Sequence, residues 1–152
     1  MTDTNTDITT LNSLIATTID SVDGYTEAAK DSASGSFASM FTDRAAERRQ
    51  VATMLQSEVT RLGGNPEDDG TVLAGAHRVF LNLRASVTGQ DDEAIVRTVE
   101  QGEDHIKAKF EAALADGDLS PMVKATIQQA YSSVKSGHDQ MRDLKKAMAS
   151  DA

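Results

Sequence analysis

The fold of this chain can be argued from one stretch, Ile95-Val-Arg-Thr-Val-Glu-Gln-Gly-Glu-Asp-His-Ile-Lys-Ala-Lys-Phe110. Its apolar residues recur at the spacing of one helical face: Val96, Val99, Ile106 and Phe110. This pattern predicts an α-helix with one buried side. Glu103 falls on that same side. A carboxylate in a protein core is costly unless a cation, a hydrogen-bond donor or a metal ion compensates it. Glu103 is therefore expected to have a compensating partner elsewhere in the chain or a bound metal ion.

The composition favours closely packed helices and excludes several classes of protein. Only 4% of the 152 residues are aromatic and 39% are hydrophobic, and there is no Cys for disulfides, thiolate metal sites or thiol catalysis. The net charge is −9, and the Lys and Arg residues are scattered among the acids. Nucleic-acid binding needs a basic surface, so it is not expected. No apolar run approaches the roughly 20 residues of a membrane span, and the polar N-terminus does not resemble a signal peptide. We expect no membrane contact and a cytoplasmic location.

Four long helices are predicted, each of roughly 25 residues. They run from Asp7 to about Asp31, from Ser36 to Gly63-Gly64, from about Asp91 to Asp116 and from Ser120 to about Met148. Asp7, Ser36 and Ser120 are suitable N-cap residues, and Pro121 suits the first position of a helix. The pair Gly63-Gly64 is typical of a helix C-terminus.

The lengths of the connections predict the topology. Short links make the first two helices, and the last two, antiparallel hairpins. The segment from Glu67 to Gln90 is long and carries helically spaced apolar residues, so a shorter helix is predicted within it. Such a connection allows the second and third helices to run in the same direction. The prediction is an all-α, ferritin-like four-helix bundle with a long crossover between helices 2 and 3 that carries the extra helix. Residues 1–152 form one domain, with frayed tails at 1–6 and 149–152.

Several short motifs resemble a known family. They are Asp23-Gly24-Tyr25, Leu62-Gly-Gly-Asn-Pro66, Ala76-His77-Arg78 with Thr88-Gly89, Gly102-Glu103-Asp104 and His138. Together they resemble an uncharacterised bacterial family of ferritin-like four-helix-bundle proteins, catalogued as domain of unknown function 2383. The resemblance extends over nearly the whole chain and implies the same fold. It implies no activity, because none is established for the family.

Depth along the predicted bundle places Glu103 level with Arg48. Each lies about a dozen residues from the same end of its helix, at roughly 1.5 Å per residue. A buried ionic network is the leading interpretation, and its predicted members are Arg44, Arg48, Glu103, Asp23 and His138. The competing interpretation is that such charges lie at the edge of a stripe and remain solvated. This applies above all to Glu58, and the long side chains of the arginines can also reach water.

A metal site is the alternative. A ferritin-like di-iron site uses a Glu from each of two helices and a Glu-x-x-His motif from each of the other two. The sequence contains no Glu-x-x-His. Arg44 and Arg48 also stand where the second helix would supply ligands, and a fixed cation repels a divalent metal. A lesser site for iron or manganese would draw on Glu27, Glu100, Glu103, Asp104 and His138.

Two functions follow from these interpretations. The first is a non-enzymatic helical-bundle protein with a stress-related role, which acts through self-association or a protein partner and needs no cofactor. Pairing of two copies through the exposed faces of the first two helices would make it a homo-oligomer. The second is an atypical ferritin-like metal-binding protein or oxidoreductase that uses core carboxylates and His138. The chain has no Gly-rich phosphate loop and no defensible Ser-His-Asp set, so we predict no catalytic residue and favour the first function.

Overall fold

Four α-helices account for most of residues 4–32, 34–68 and 92–150, which are the residues that the computed structural model describes. They are α1 (Thr4–Asp31), α2 (Gly35–Arg61), α3 (Asp92–Ala115) and α4 (Pro121–Ser150). No residue in the described ranges belongs to a strand, and the prediction of an all-α four-helix bundle is confirmed. None of the described helices combines the length and the apolar character that are needed to cross a lipid bilayer.

Hydrogen bonds between helix ends establish the direction of each helix. The amide of Ser34 donates to Asp92 Oδ2 at 3.1 Å, so α2 and α3 begin at the same end, here called the upper end. The amide of Ser120 donates to Asp7 Oδ1 at 3.1 Å, so α1 and α4 begin together at the lower end. α1 packs mainly against α2 and α3, and α4 packs mainly against the same two helices. Every helix is therefore antiparallel to its two main neighbours, and α2 and α3 are parallel on a diagonal.

The parallel α2 and α3 require a single long crossover, as in ferritin-like bundles. Asn12, near the start of α1, holds the chain where it leaves α2. Its side-chain amide donates to Asn65 O at 3.1 Å and its side-chain oxygen accepts from Glu67 N at 2.8 Å. The chain thus leaves α2 at the lower end and enters α3 at the upper end. The shorter helix predicted within the connection, together with His77 and Arg78, lies outside the described residues.

Two predicted N-caps are wrong. α1 already begins at Thr4, so Asp7 lies within the helix, and its carboxylate serves the start of α4 instead. The N-cap of α2 is Ser34 and not Ser36, because the Ser34 hydroxyl accepts from the amide of Phe37 at 3.5 Å. The sequence Ser32-Ala-Ser-Gly-Ser36 offers three serines, and helical periodicity cannot choose among them. The parts of the predicted frayed tails that the structure describes are helical, from Thr4 onward and up to Ser150.

The C-terminus of α2 is closed by the predicted glycine pair. Gly63 has a φ of 83°, in the left-handed region. The amide of Gly63 bonds to Thr60 O and the amide of Gly64 to Val59 O, each at 3.0 Å. These two bonds form a Schellman motif, which satisfies carbonyl groups that would otherwise lack a partner at the helix end.

The apolar core consists of two clusters. The lower cluster is built from buried residues of all four helices, among them Leu11, Ile15, Leu55, Phe110 and Ile127. The upper cluster includes Tyr25, Phe41, Ile95, Val99 and Met141. Burying one such side chain contributes about 1.5–3 kcal/mol relative to leaving it exposed. The clusters therefore provide most of the packing energy, and the polar layer that separates them contains the candidate site.

The Gly63→Ala substitution should test the turn at the end of α2. A Cβ atom is strained in the left-handed region, so we expect a loss of about 1–2 kcal/mol in the free energy of unfolding. Urea denaturation followed by far-ultraviolet circular dichroism measures it. Gly117→Ala is the control, because Gly117 has no positive φ and no atom within 4 Å of the added Cβ. Equal effects of the two substitutions would contradict the assigned role of Gly63.

Candidate functional site

A buried ion pair lies between the two apolar clusters. Arg48 on α2 is 0% exposed and Glu103 on α3 is 2% exposed. On α2, Ala45 belongs to the upper cluster and Val51 to the lower cluster. Arg48 therefore sits at the boundary between the clusters. Phe41, Arg48 and Leu55 follow one another at seven-residue intervals on α2, so Arg48 lies on the same buried face as these two apolar residues.

The geometry of the pair is that of a bidentate salt bridge. Arg48 Nη1 donates to Glu103 Oε1 at 2.7 Å and Arg48 Nη2 donates to Glu103 Oε2 at 2.6 Å. Nη1 also donates to Ser21 Oγ at 2.8 Å, and Nη2 to the carbonyl oxygen of Val134 at 3.4 Å. Ser21 belongs to α1 and Val134 to α4, so all four helices contribute to the layer. The two parallel bonds give the pair the strength of charge-assisted contacts.

Tyr25 covers the pair on the side of the upper cluster. The centre of its ring lies 5.6 Å from Arg48 Cζ, within the range of a cation–π contact. Burial raises the pKa of the Tyr25 hydroxyl well above its usual value, and the charge of Glu103 raises it further. Burial lowers the pKa of Arg48, but the charge and hydrogen bonds of Glu103, together with Tyr25 and Glu47, more than offset this, so the pKa of Arg48 is raised overall. Arg48 is therefore a permanent cation in the core.

Gly137 on α4 makes room for the guanidinium. A Cβ atom at this position would lie 2.4 Å from Arg48 Nη2 and 3.1 Å from Glu103 Oε2. Arg48 cannot easily withdraw, because both of its terminal nitrogens are held by Glu103. The absence of a side chain at position 137 is therefore part of the site.

The structure places the other predicted members of the network elsewhere. Arg44 lies on the seam between α2 and α4, where Nε donates to Gln140 Oε1 and Nη1 to Glu47 Oε2, each at 2.7 Å. The second carboxylate oxygen of Glu47 accepts from the hydroxyl of Ser133. Asp23 is exposed on α1. Arg48 and Glu103 are thus brought together, while Arg44 and Asp23 remain outside the layer.

His138 belongs to a row of polar contacts along the seam between α3 and α4. Three residues of α4 spaced seven apart each meet an acid of α3. Tyr131 Oη donates to Glu111 Oε2 at 2.8 Å, His138 Nε2 lies 2.6 Å from Asp104 Oδ1, and Lys145 Nζ donates to Glu100 Oε2 at 3.2 Å. Desolvation and the bond to Glu111 raise the pKa of Tyr131 to about 12. The bond to His138 lowers the pKa of Asp139.

The five predicted metal ligands are not gathered around one point. Glu103 is bonded to Arg48, and Glu100 is bonded to Lys145. Glu27 lies 3.8 Å from Lys30 on the surface of α1. Asp104 and His138 do touch, but within the described ranges no group of three or more His, Asp or Glu side chains could hold a metal ion. Glu103 is thus paired with a cation in the core, and the acids of the α3–α4 seam meet a lysine, a tyrosine or a histidine.

Sequence reasoning missed part of the site. Ser21 and Tyr25 contribute from α1, and Gly137 and the carbonyl of Val134 contribute from α4. A glycine inside a long helix was the available signal, because it costs about 1 kcal/mol relative to Ala and so calls for a packing reason. No sequence signal indicates which backbone carbonyl an arginine will reach.

Comparison with known proteins adds the family. A family model described as "Domain of unknown function (DUF2383)" matches residues 6–116. The chain belongs to this family. In this DUF2383 chain the matched range includes Arg48 and Glu103, whereas Gly137 and His138 lie beyond its end. A search of curated proteins found no match. The comparisons therefore establish a family and no activity.

Removing one partner of the ion pair should be strongly destabilising. We expect Arg48→Met and Glu103→Leu each to cost about 3–5 kcal/mol of unfolding free energy, because each leaves a buried charge unpaired. The double variant should be close to the native protein, or up to about 1–4 kcal/mol more stable. Lys107→Met provides the control, since it breaks a partly exposed surface pair with Glu111 worth about 0.2–1 kcal/mol. Single variants that cost no more than this control would place the pair in water.

Filling the space at Gly137 should also be destabilising. Ala is a better helix former than Gly by about 1 kcal/mol, so an open site would gain stability from Gly137→Ala. We expect instead a net loss of about 1–3 kcal/mol, because the added Cβ overpacks the layer. Gly35→Ala, with no atom within 4 Å of its Cβ, is the matched control. The loss should shrink in an Arg48→Met background, and a net gain in the native background would contradict the proposed fit.

Proposed function

We propose that this chain is a non-enzymatic helical-bundle protein that acts through its surface, by binding a protein partner or a second copy of itself. The observation that supports this most directly is the bidentate pair between Arg48 and Glu103. In ferritin-like enzymes the core between facing helices holds the metal and carries the chemistry. Here the corresponding level contains a guanidinium and the carboxylate that neutralises it.

The residues of this layer do not suit a divalent metal. A metal bound to Glu103 would have to replace two charge-assisted hydrogen bonds and sit beside a permanent cation. Gly137 and Val134 confine the guanidinium from the side of α4, so Arg48 has little room to move away. The layer is better suited to holding the helices in register than to binding a ligand. The stress-related role and the cytoplasmic location of the protein stay predictions from the sequence.

The alternative is an atypical metal-binding protein or oxidoreductase. One observation favours it: Asp104 and His138, two predicted ligands, lie 2.6 Å apart. The pair is at the edge of the bundle, where the Asp104 side chain is 57% exposed. Such a site would need further ligands from outside the described ranges or from another molecule. The alternative therefore places any iron or manganese on the α3–α4 seam and not in the core.

Metal content separates the two functions. The untagged protein, expressed with added iron or manganese, should contain far less than one metal equivalent per chain by elemental analysis, and Glu103→Ala should not change this. Retention of about two equivalents, as in a di-metal site, with loss in Glu103→Ala, would overturn the proposal. Retention that is lost in Asp104→Asn and His138→Gln, but not in Glu103→Ala, would establish the alternative.

A further inference from the structure

A groove between α1 and α2 opens near the upper end of the bundle. Its volume is about 340 Å³. The lining residues are Thr26, Ala29 and Lys30 of α1 and Ala38, Thr42, Ala45 and Arg49 of α2. This α1–α2 groove lies outside the layer that contains the Arg48–Glu103 pair.

The groove carries positive charge on an acidic protein. The Lys30 side chain is 68% exposed, and its one ion pair among the described residues is with Glu27 at 3.8 Å, a surface contact of little strength. Arg49 is exposed, and its guanidinium makes no ion pair or hydrogen bond to the part of the chain that the structure describes. The whole chain has a net charge of −9. Two available cations in one groove are therefore a local reversal of the overall charge.

The walls of the groove offer little else to bind. The hydroxyls of Thr26 and Thr42 already donate to Val22 O and Ala38 O of their own helices, each at 2.8 Å. Apart from the two cations, the other residues that line the groove are the alanines, of which Ala45 is buried in the upper cluster, so the floor is narrow and apolar. The side-chain donors that remain available are the two cations. Negative charge at both ends of an occupant, with small side chains between them, would complement this lining.

We propose that the α1–α2 groove binds an acidic α-helical segment of a partner protein, an inference that rests on the proposed surface-binding function. The length from Ala38 to Arg49 is about 16 Å at roughly 1.5 Å per residue, and Lys30 lies near the Ala38 end. Two carboxylates about eleven residues apart on a helix span the same distance. They also lie within about 20° of each other around the helix, so both can face the groove.

A second copy of the chain fits the groove less well. If two identical grooves met around a two-fold axis across the helices, Lys30 of one copy would face Arg49 of the other. If the axis ran along the helices, each cation would meet its own equivalent. Like charges directly opposed across an interface are unfavourable, and the ion pair of Lys30 with Glu27 is too weak to cancel this repulsion. An acidic helix from a different protein avoids this repulsion.

Three synthetic peptides that share one Ala-rich background test the inference. Each is Ala-rich, about 18 residues long and fluorescently labelled, so that anisotropy reports binding to the intact protein. The first carries two Glu residues about eleven apart, on one face. The second carries them about nine apart, on opposite faces, and the third replaces both with Lys. We expect the first to bind about tenfold more tightly than the other two, and less tightly as salt is added.

Variants of the protein locate the site. Arg49→Glu and Lys30→Glu should each weaken binding of the first peptide about tenfold, because each places a new carboxylate opposite a Glu of the peptide. Lys109→Glu on α3 is the matched control, since it makes the same charge change at an exposed position outside the groove, and it should change binding less than about twofold. Circular dichroism should show that all three variants are folded.

Several outcomes would overturn the inference. These are equal binding of the three peptides, no binding up to about 1 mM, or equal effects of Arg49→Glu and Lys109→Glu. A dimer in sedimentation velocity that Arg49→Glu alters and Lys109→Glu does not would assign the groove to a second copy. Each of these results leaves a metal-free protein and the proposed function intact. Retained core metal would instead overturn the proposed function, whatever the peptides do.

Discussion

The Arg48–Glu103 pair is the constraint on which the arrangement of the four helices depends. Removing two charges from water costs several kcal/mol for each ion, and only a well-formed pair offsets that cost. The pair forms only when α2 and α3 lie at one relative depth. A shift of α2 by one turn would leave Arg48 unpaired inside an apolar cluster. The two clusters supply most of the packing energy, and the layer between them penalises other registers.

α4 completes this layer although its whole sequence lies outside the range that the family model matches. It supplies the Val134 carbonyl and the space at Gly137, and it also carries both polar seams. Tyr131 and His138 reach acids on α3, while Gln140 reaches Arg44 on α2. Polar groups on either side of its apolar stripe thus bind neighbouring helices. These polar contacts fix the rotation of α4 about its axis, so that Gly137 faces the guanidinium of Arg48.

Because the Arg48–Glu103 pair occupies the core, the surface is the more suitable place for binding a partner. Three of the acids predicted as metal ligands, Glu103, Glu100 and Asp104, are here engaged by Arg48, Lys145 and His138. Lys30 and Arg49, by contrast, remain available beside a groove with small side chains. In an acidic chain such a groove is attractive to negative charge at short range, whereas the overall charge repels acidic molecules at long range. Binding there would therefore depend on a close fit.

The sequence by itself determined the four helices, the single crossover and the meeting of Arg48 with Glu103. Helical periodicity, turn residues and equal depth along two parallel helices are all local or nearly local properties. Only the tertiary structure decided that His138 turns to Asp104 and not to Glu103, that Arg44 leaves the layer, and that Ser34 caps α2. Residues beside an apolar stripe have two neighbouring helices within reach, and packing chooses between them. The role of Gly137 likewise follows from the approach of a side chain that is distant in sequence, which no local pattern records.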